Sequence, residues 1–213
     1  MSCTLSAGGS LQWFRNNFCS PEIETARGME VDPYELMDAQ AAKVRIGANR
    51  LLFLPFLMGE RSPLLDPDAR GVFFGLSGIH TRRDMLRAVM EGVVYSQRDC
   101  LDVLGGMGLS FTEMLATGGG GKSPLWRQML ADNYNCPVVT VKGGEGAALG
   151  AAILAGVGVG LYENVPEACR HILRYNPVQQ PDKKQALAYT PYYELYREVC
   201  ASLKTQFAAL AKL

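Results

Sequence analysis

The residues with the clearest chemical content in this chain are the run Ala116–Ser123, A-T-G-G-G-G-K-S. Successive glycines expose backbone N–H groups, and a helix start behind them favours an anion, so a run of this type can hold a phosphate. It fits a relaxed form of the phosphate-binding P-loop, whose stricter form has glycine where Ala116 stands. Against that reading, P-loop chemistry needs an acid at the end of a second strand to hold Mg2+. Here the next strand, VVTV, runs into Lys142-Gly143-Gly144. Pro124, two residues after the lysine, is compatible with a first helical turn. A second reading is structural: glycines let a strand and a helix pack closely. Four in succession carry more unfolded-state entropy than such a turn needs. A third reading is a flat surface of bare backbone against which an adenine ring or a ribose lies.

Other reactive side chains are sparse. His80 and His171 have no neighbouring Cys, His or Glu at metal-ligand spacing, so a zinc site is not expected. The six cysteines are scattered without a CxxC pair. They read as small buried hydrophobes in a reducing compartment, the cytoplasm, and not as disulfides. With 21 basic and 21 acidic residues the chain is balanced, which argues against a nucleic-acid or anionic-membrane partner. No apolar run reaches the roughly 18 residues of a membrane span. The start, MSCTLSAGGSLQW, lacks the basic and apolar regions of a secretory signal.

The elements that must position the glycine run alternate. Strand 113–118, helix 123–134, strand 136–141 and helix 145–156 form tight βαβ spacing and predict a parallel sheet. Upstream, a strand is expected at 2–6 and helices at 9–18 and 33–43. The continuous apolar run LLFLPF (51–56) has the length and character of a strand buried on both faces. Residues 59–71 form a Pro/Gly/Asp loop, and 71–76 a further strand. A long helix from Thr81 carries Leu86, Val89, Met90, Val93, Leu101 and Leu104 at helical spacing and stops at Gly105-Gly106. A last helix covers 191–211. With 48% apolar and 20% charged residues, a length of 213 suits one sizeable domain or two small ones.

Three stretches together resemble the carboxy-terminal domain of the FGGY carbohydrate kinases. GVFFGLSGIHTRRDMLRAVMEG (71–92) is similar to that family's second signature at Gly71, Phe73, Gly75, Leu76, Asp84, Met85, Ala88, Val89, Met90 and Glu91. FLPFLMGERSPLLDPDARG (53–71) resembles the loop before it. Gly118 to Ser123, followed by Trp126 to Asp132, resembles the family's adenosine-site motif. GGEGAALGAAILAG (143–156) is similar to its last small-residue helix, although small residues also simply allow close helix packing. The likeness runs from about Ser6 to Phe207. Its wording is most similar to the xylulose kinases, and Ser123, where glycerol kinases carry Asn, points the same way.

The implied fold is α/β: an actin-like ATPase (ribonuclease H-like) domain, a mixed sheet flanked by helices, lacking its first strands. The implied activity is transfer of the ATP γ-phosphoryl group, with Mg2+, to a pentulose, D-xylulose foremost. Ribulose, gluconate and glycerol kinases, and a non-catalytic nucleotide-binding or oligomerisation module, are the alternatives. The resemblance places adenine and ribose on Gly118, Gly119 and Gly120, a hydrogen bond to base or ribose on Ser123, and the phosphates near Gly59. Lys122 is then at the rim. In this family the base is an aspartate in a Gly-Asp-Asn-like segment, and phosphates meet a Gly-Thr-Ser-like turn; neither motif occurs here. The chain therefore reads as one domain, 1–213, whose sugar contacts come from an absent N-terminal domain, and which alone is inactive. Asp66, Asp68 and Asp84 suit loop and helix-start roles and not the base. Arg61 and Arg70 read as loop arginines more than as phosphate ligands. An unpaired strand edge at 2–6 would admit a homodimer.

Overall fold

The computed structural model describes residues 3–143 and 146–213. Helices α1 (Ala7–Phe18), α2 (Ser20–Met29) and α3 (Pro33–Ala41) lead into strand β1 (Leu52–Leu54) and strand β2 (Val72–Phe74). The long helix α4 (Arg82–Gly106) follows, then β3 (Met114–Leu115), α5 (Pro124–Tyr134), β4 (Val138–Val139) and α6 (Gly146–Gly158). Helices α7 (Val165–Ile172), α8 (Lys183–Ser202) and α9 (Lys204–Leu210) complete the chain.

The apolar run at 51–56 is a strand with both faces buried, as its composition requires. Phe53 enters one core with Phe14, Val89, Met90 and Trp126. Leu52 and Leu54, pointing the other way, enter a second core with Tyr189, Tyr193 and Tyr196 of α8. β1 pairs antiparallel with β2, Phe53 opposite Phe73. β3 and β4 pair parallel, Met114 opposite Val138, with α5 as the crossover that the alternating pattern predicts. Antiparallel bridges from Val138 to Gln179 and from Val141 to Tyr175 add a short irregular edge on β4, making the pairing mixed.

Helix α4 is the central strut. Its start is fixed by Asp84, whose carboxylate accepts from Thr81 N at 2.7 Å, Thr81 Oγ1 at 2.6 Å and Asn49 Nδ2 at 2.6 Å. It lies flush on β1 at Gly92, where a Cβ would stand 2.1 Å from the Phe53 carbonyl oxygen. One turn earlier, Arg87 and Glu91 form a buried ion pair at 2.6 Å. Arg87 also donates to the Tyr189 hydroxyl at 2.6 Å, and Glu91 accepts from Gly47 N at 3.1 Å, so the pair ties α4 to α8 and to the turn before β1.

Several elements differ from expectation. Residues 3–6 are not a strand: Leu5 N donates to the Glu60 carboxylate, and Cys3 O accepts from Ser62 N, so the loop at 60–62 takes their backbone bonds. The pairing edge expected there for a second copy is thus not formed by residues 3–6; Ser2, the first residue of the expected strand, lies outside the described residues. So do Gly144 and Glu145 of the small-residue stretch. Helix α2 follows α1 almost directly, with Pro21 in its first turn. Helix α7 begins at the Asn164 cap, which accepts from Glu167 N. Helix α8 starts eight residues before the expected 191, because Asp182 caps it through Lys184 N and Gln185 N. It runs through Pro191, at a local cost of about 3 kcal/mol, which burial of Tyr189, Tyr193 and Tyr196 offsets. Leu203 then separates it from α9. Cys19, Cys100, Cys136 and Cys200 are buried, as their reading as small hydrophobes requires, whereas Cys3 is exposed and Cys169 half-buried, against that reading. Among the described residues, no helix is long and apolar enough to cross a membrane.

Asp84 makes a testable contribution. Burial pushes its carboxyl up, but the Thr81 hydroxyl and backbone and Asn49 outweigh burial and hold it below the ordinary 3.8. The folded state therefore binds this proton less tightly than the unfolded chain. The stabilisation is complete above that ordinary value and is lost as pH falls below it through the folded value. Replacing Asp84 with Asn is expected to cost about 1 kcal/mol at neutral pH. Urea melts of parent and variant should converge as the pH is taken below 3.8.

Candidate functional site

The glycine run is built at the C-terminal end of β3, where the backbone leaves the parallel pair. Ala116 N still donates to Val139 O at 2.9 Å, prolonging the pairing by one residue. Gly118 then takes φ 76° and ψ −168°, a conformation essentially reserved for glycine. Residues Gly119–Lys122 form one 3-10 turn, closed by Gly121 N donating to Gly118 O at 3.2 Å. Ser123 ends the turn and caps α5, its Oγ accepting from Trp126 N at 3.0 Å. Pro124 occupies the first turn of α5, as the sequence suggests. Beneath the run, Trp126 is buried and its Nε1 donates to the Met90 carbonyl of α4 at 3.2 Å. Arg127 closes the back of the turn, donating to Gly121 O at 2.7 Å and Lys122 O at 3.0 Å.

The four glycines have different reasons to be there. Gly118 is required by its backbone angles. A Cβ on Gly120 would stand 3.1 Å from the Trp126 ring, and one on Gly121 would stand 3.2 Å from Ala116 O, so close packing accounts for both. At Gly119 a Cβ would meet nothing within 4 Å, and its φ is not positive. No internal contact requires a glycine at that position.

Gly118, Gly119 and Gly120 border a cleft of about 580 Å3 between the turn, α4 and the start of α1. Val93, Gln97, Leu101 and Leu104 of α4 form one wall, Ala7 and Gly8 another, and Met114 and Leu115 of β3 the floor. No Asp, Glu, His, Lys or Arg is among the described residues that border it. Its polar side chains include Thr117, Gln97 and Tyr134, and the last two bond each other at 3.1 Å. Burial pushes the Tyr134 hydroxyl far above the usual tyrosine range, so it stays protonated. Such a cleft can seat a flat, largely uncharged group of nucleoside size. By itself it offers neither a general base nor a cation for phosphate charge. Among the described residues no group of three or more metal-ligating side chains converges.

Of the residues singled out in the sequence, Gly118, Gly119 and Gly120 come together on the cleft. Ser123 stands next to it as the helix cap. Gly59 is elsewhere, buried at φ 76° in the loop after β1, where a Cβ would stand 2.7 Å from Pro67 O. Lys122 is exposed and does not border the cleft. Arg70 is spent on the Pro67 and Ala69 carbonyls at 2.9 and 2.8 Å. Asp66 is buried and accepts from Asp68 N at 3.0 Å, which fits a loop role. Gln97 and Tyr134 are the cleft residues that sequence reasoning passed over. Gln97 was legible as a polar residue between Val93 and Leu101 on one helical stripe.

Comparison with known proteins bears on this site. Residues 1–159 match the model of the FGGY family of carbohydrate kinases, C-terminal domain. The xylulose kinase of Staphylococcus epidermidis is 36% identical over 210 residues, covering 99% of this chain and 40% of that protein. The gluconokinase of Bacillus subtilis is 35% identical over 216 residues, covering 97% of this chain and 40% of that protein. The solved ligand-bound xylulose kinase from Lactobacillus acidophilus superposes with a TM-score of 0.83 at 30% identity, covering 97% of this chain and 40% of that one. The chain thus spans about 40% of the length of the curated relatives it matches.

The glycine assignments predict a graded alanine series. Replacing Gly119 with Ala should leave stability within about 0.5 kcal/mol of the parent. Replacing Gly118 with Ala should cost about 1–3 kcal/mol through backbone strain. Denaturant melts of the two variants test the ordering.

Proposed function

Because the chain belongs to the FGGY family of carbohydrate kinases and has their actin-like ATPase fold, we propose that it is the nucleotide-binding half of a sugar kinase. The single observation that carries this reading is a cleft without charged side chains among the described residues, closed by a turn whose Gly119 has no internal reason to be glycine. Bare backbone at Gly118 and Gly119, with open space above it, suits the close approach of an adenine ring and ribose. The apolar wall of α4 suits the opposite face of the base. Ser123 keeps one lone pair beyond its bond to Trp126 N and can accept from base or ribose. Gly59, which does not border the cleft, is proposed on the phosphate side from the resemblance of its loop alone.

When bound, ATP with its Mg2+ supplies the γ-phosphoryl group for transfer to a sugar hydroxyl. The residues of this chain hold and orient the nucleoside end, which is the positional part of such catalysis. The sugar contacts and the proton acceptor belong to the remainder of the longer enzyme, in keeping with a cleft that has no carboxylate among its described residues. A pentulose, D-xylulose, is the preferred substrate, on the wording of the motifs and the xylulose kinases among the relatives. Gluconate is the second reading, because gluconokinases match at nearly the same identity. The same reading places the enzyme in the cytoplasm, where ATP is available.

Titration calorimetry of this chain with Mg·ADP is expected to show binding that the Gly119→Val variant loses by at least about tenfold. The chain alone is expected to form no xylulose 5-phosphate from ATP and D-xylulose. Equal binding by parent and variant would remove the nucleotide from the glycine turn, and turnover by the isolated chain would refute the division of labour.

A further inference from the structure

We propose that Arg127 is a positioning residue for the nucleotide, presetting the glycine turn from behind without touching the cleft. The proposal rests on the nucleotide reading given above. A run of four glycines has the largest backbone entropy a turn can have and no side chains to restrain it. It is held as a short 3-10 turn, entered by Gly121 N donating to Gly118 O at 3.2 Å. A further restraint comes from outside. One guanidinium nitrogen of Arg127 donates to both Gly121 O at 2.7 Å and Lys122 O at 3.0 Å, the last carbonyls of the turn. Charge-assisted bonds of this kind are among the stronger ones a side chain makes.

Arg127 is itself held on a rigid element. It is in the first turns of α5, its N donating to Ser123 O at 3.0 Å, next to Trp126, which is pinned to α4 at Met90 O. It does not border the cleft. Burial, with Asp32 adding to it, pushes the Asp38 carboxyl of α3 up, and the Ser123 hydroxyl and, more weakly, Arg127 only partly offset this. The exit of the turn is therefore gripped by a cation from α5. The nucleotide then meets a surface whose ordering cost has already been met in folding.

The test uses the full chain with Arg127→Met, which keeps the aliphatic bulk, and Arg127→Lys, which restores a charged donor. Three quantities are read: amide exchange at Gly121 by NMR, affinity for Mg·ADP, and the thermal midpoint. In Arg127→Met, exchange at Gly121 is expected to rise about tenfold and affinity to fall about five- to tenfold, with the midpoint lowered by no more than about 3 °C. The lysine variant should recover most of both. A lowered midpoint with unchanged Gly121 exchange and unchanged affinity overturns the proposal and leaves Arg127 a plain structural contact. A parent that binds no Mg·ADP sinks the nucleotide reading and this role with it. A parent that binds, beside a methionine variant that binds equally well, sinks this role alone.

Discussion

The seat of α4 on β1 sets the geometry of everything else. At Gly92 the helix approaches so closely that any side chain would collide with the Phe53 carbonyl. From that contact the helix carries Met90 to the Trp126 indole, and Val93, Gln97 and Leu101 to the wall of the cleft. The glycine turn is thus registered to β1 through one helix and one indole hydrogen bond. A shift of α4 away from the strand would move both the wall of the cleft and the anchor of its floor.

The Arg87–Glu91 pair explains why the helix does not rotate on that seat. Both side chains are almost fully buried, and besides each other they meet partners on different segments: Arg87 donates to Tyr189 on α8, and Glu91 accepts from Gly47 before β1. Burial pushes the Glu91 carboxyl up even with Arg87 beside it. An ion pair so deep returns little net stability, since desolvation consumes most of its Coulomb energy. Its directional bonds nonetheless admit only one rotation and one height of α4. Around it the cores are apolar and would tolerate small slips. The polar pair specifies the register, and the two apolar clusters on either side of β1 supply the cohesion.

Much of this was legible in the residues. The apolar run at 51–56 announced a strand with two buried faces, and the alternation from 113 to 141 announced a parallel βαβ unit. Asp84 was readable as a helix-start acid. What escaped was set by distant contacts or by ambiguous local signals. Pro191 looks like the start of a helix, and only the Asp182 cap nine residues earlier, with three buried tyrosines behind it, carries α8 through it. The segment at 3–6 has strand-like residues, yet Glu60 and Ser62 satisfy its backbone from a loop more than fifty residues away. The separate reasons for four adjacent glycines are invisible in the letters GGGG. They depend on Trp126, on Ala116 and on one unusual ψ angle.

The lack of formal charge among the described residues of the cleft has a consequence for how a ligand feels the surrounding medium. Mobile ions screen charges over about 8 Å at physiological ionic strength and leave dispersion and apolar contact nearly untouched. The free energy of seating a ring between the glycine turn and α4 is therefore nearly independent of salt. Any dependence on ionic strength enters through the charged end of the ligand, where it leaves this wall.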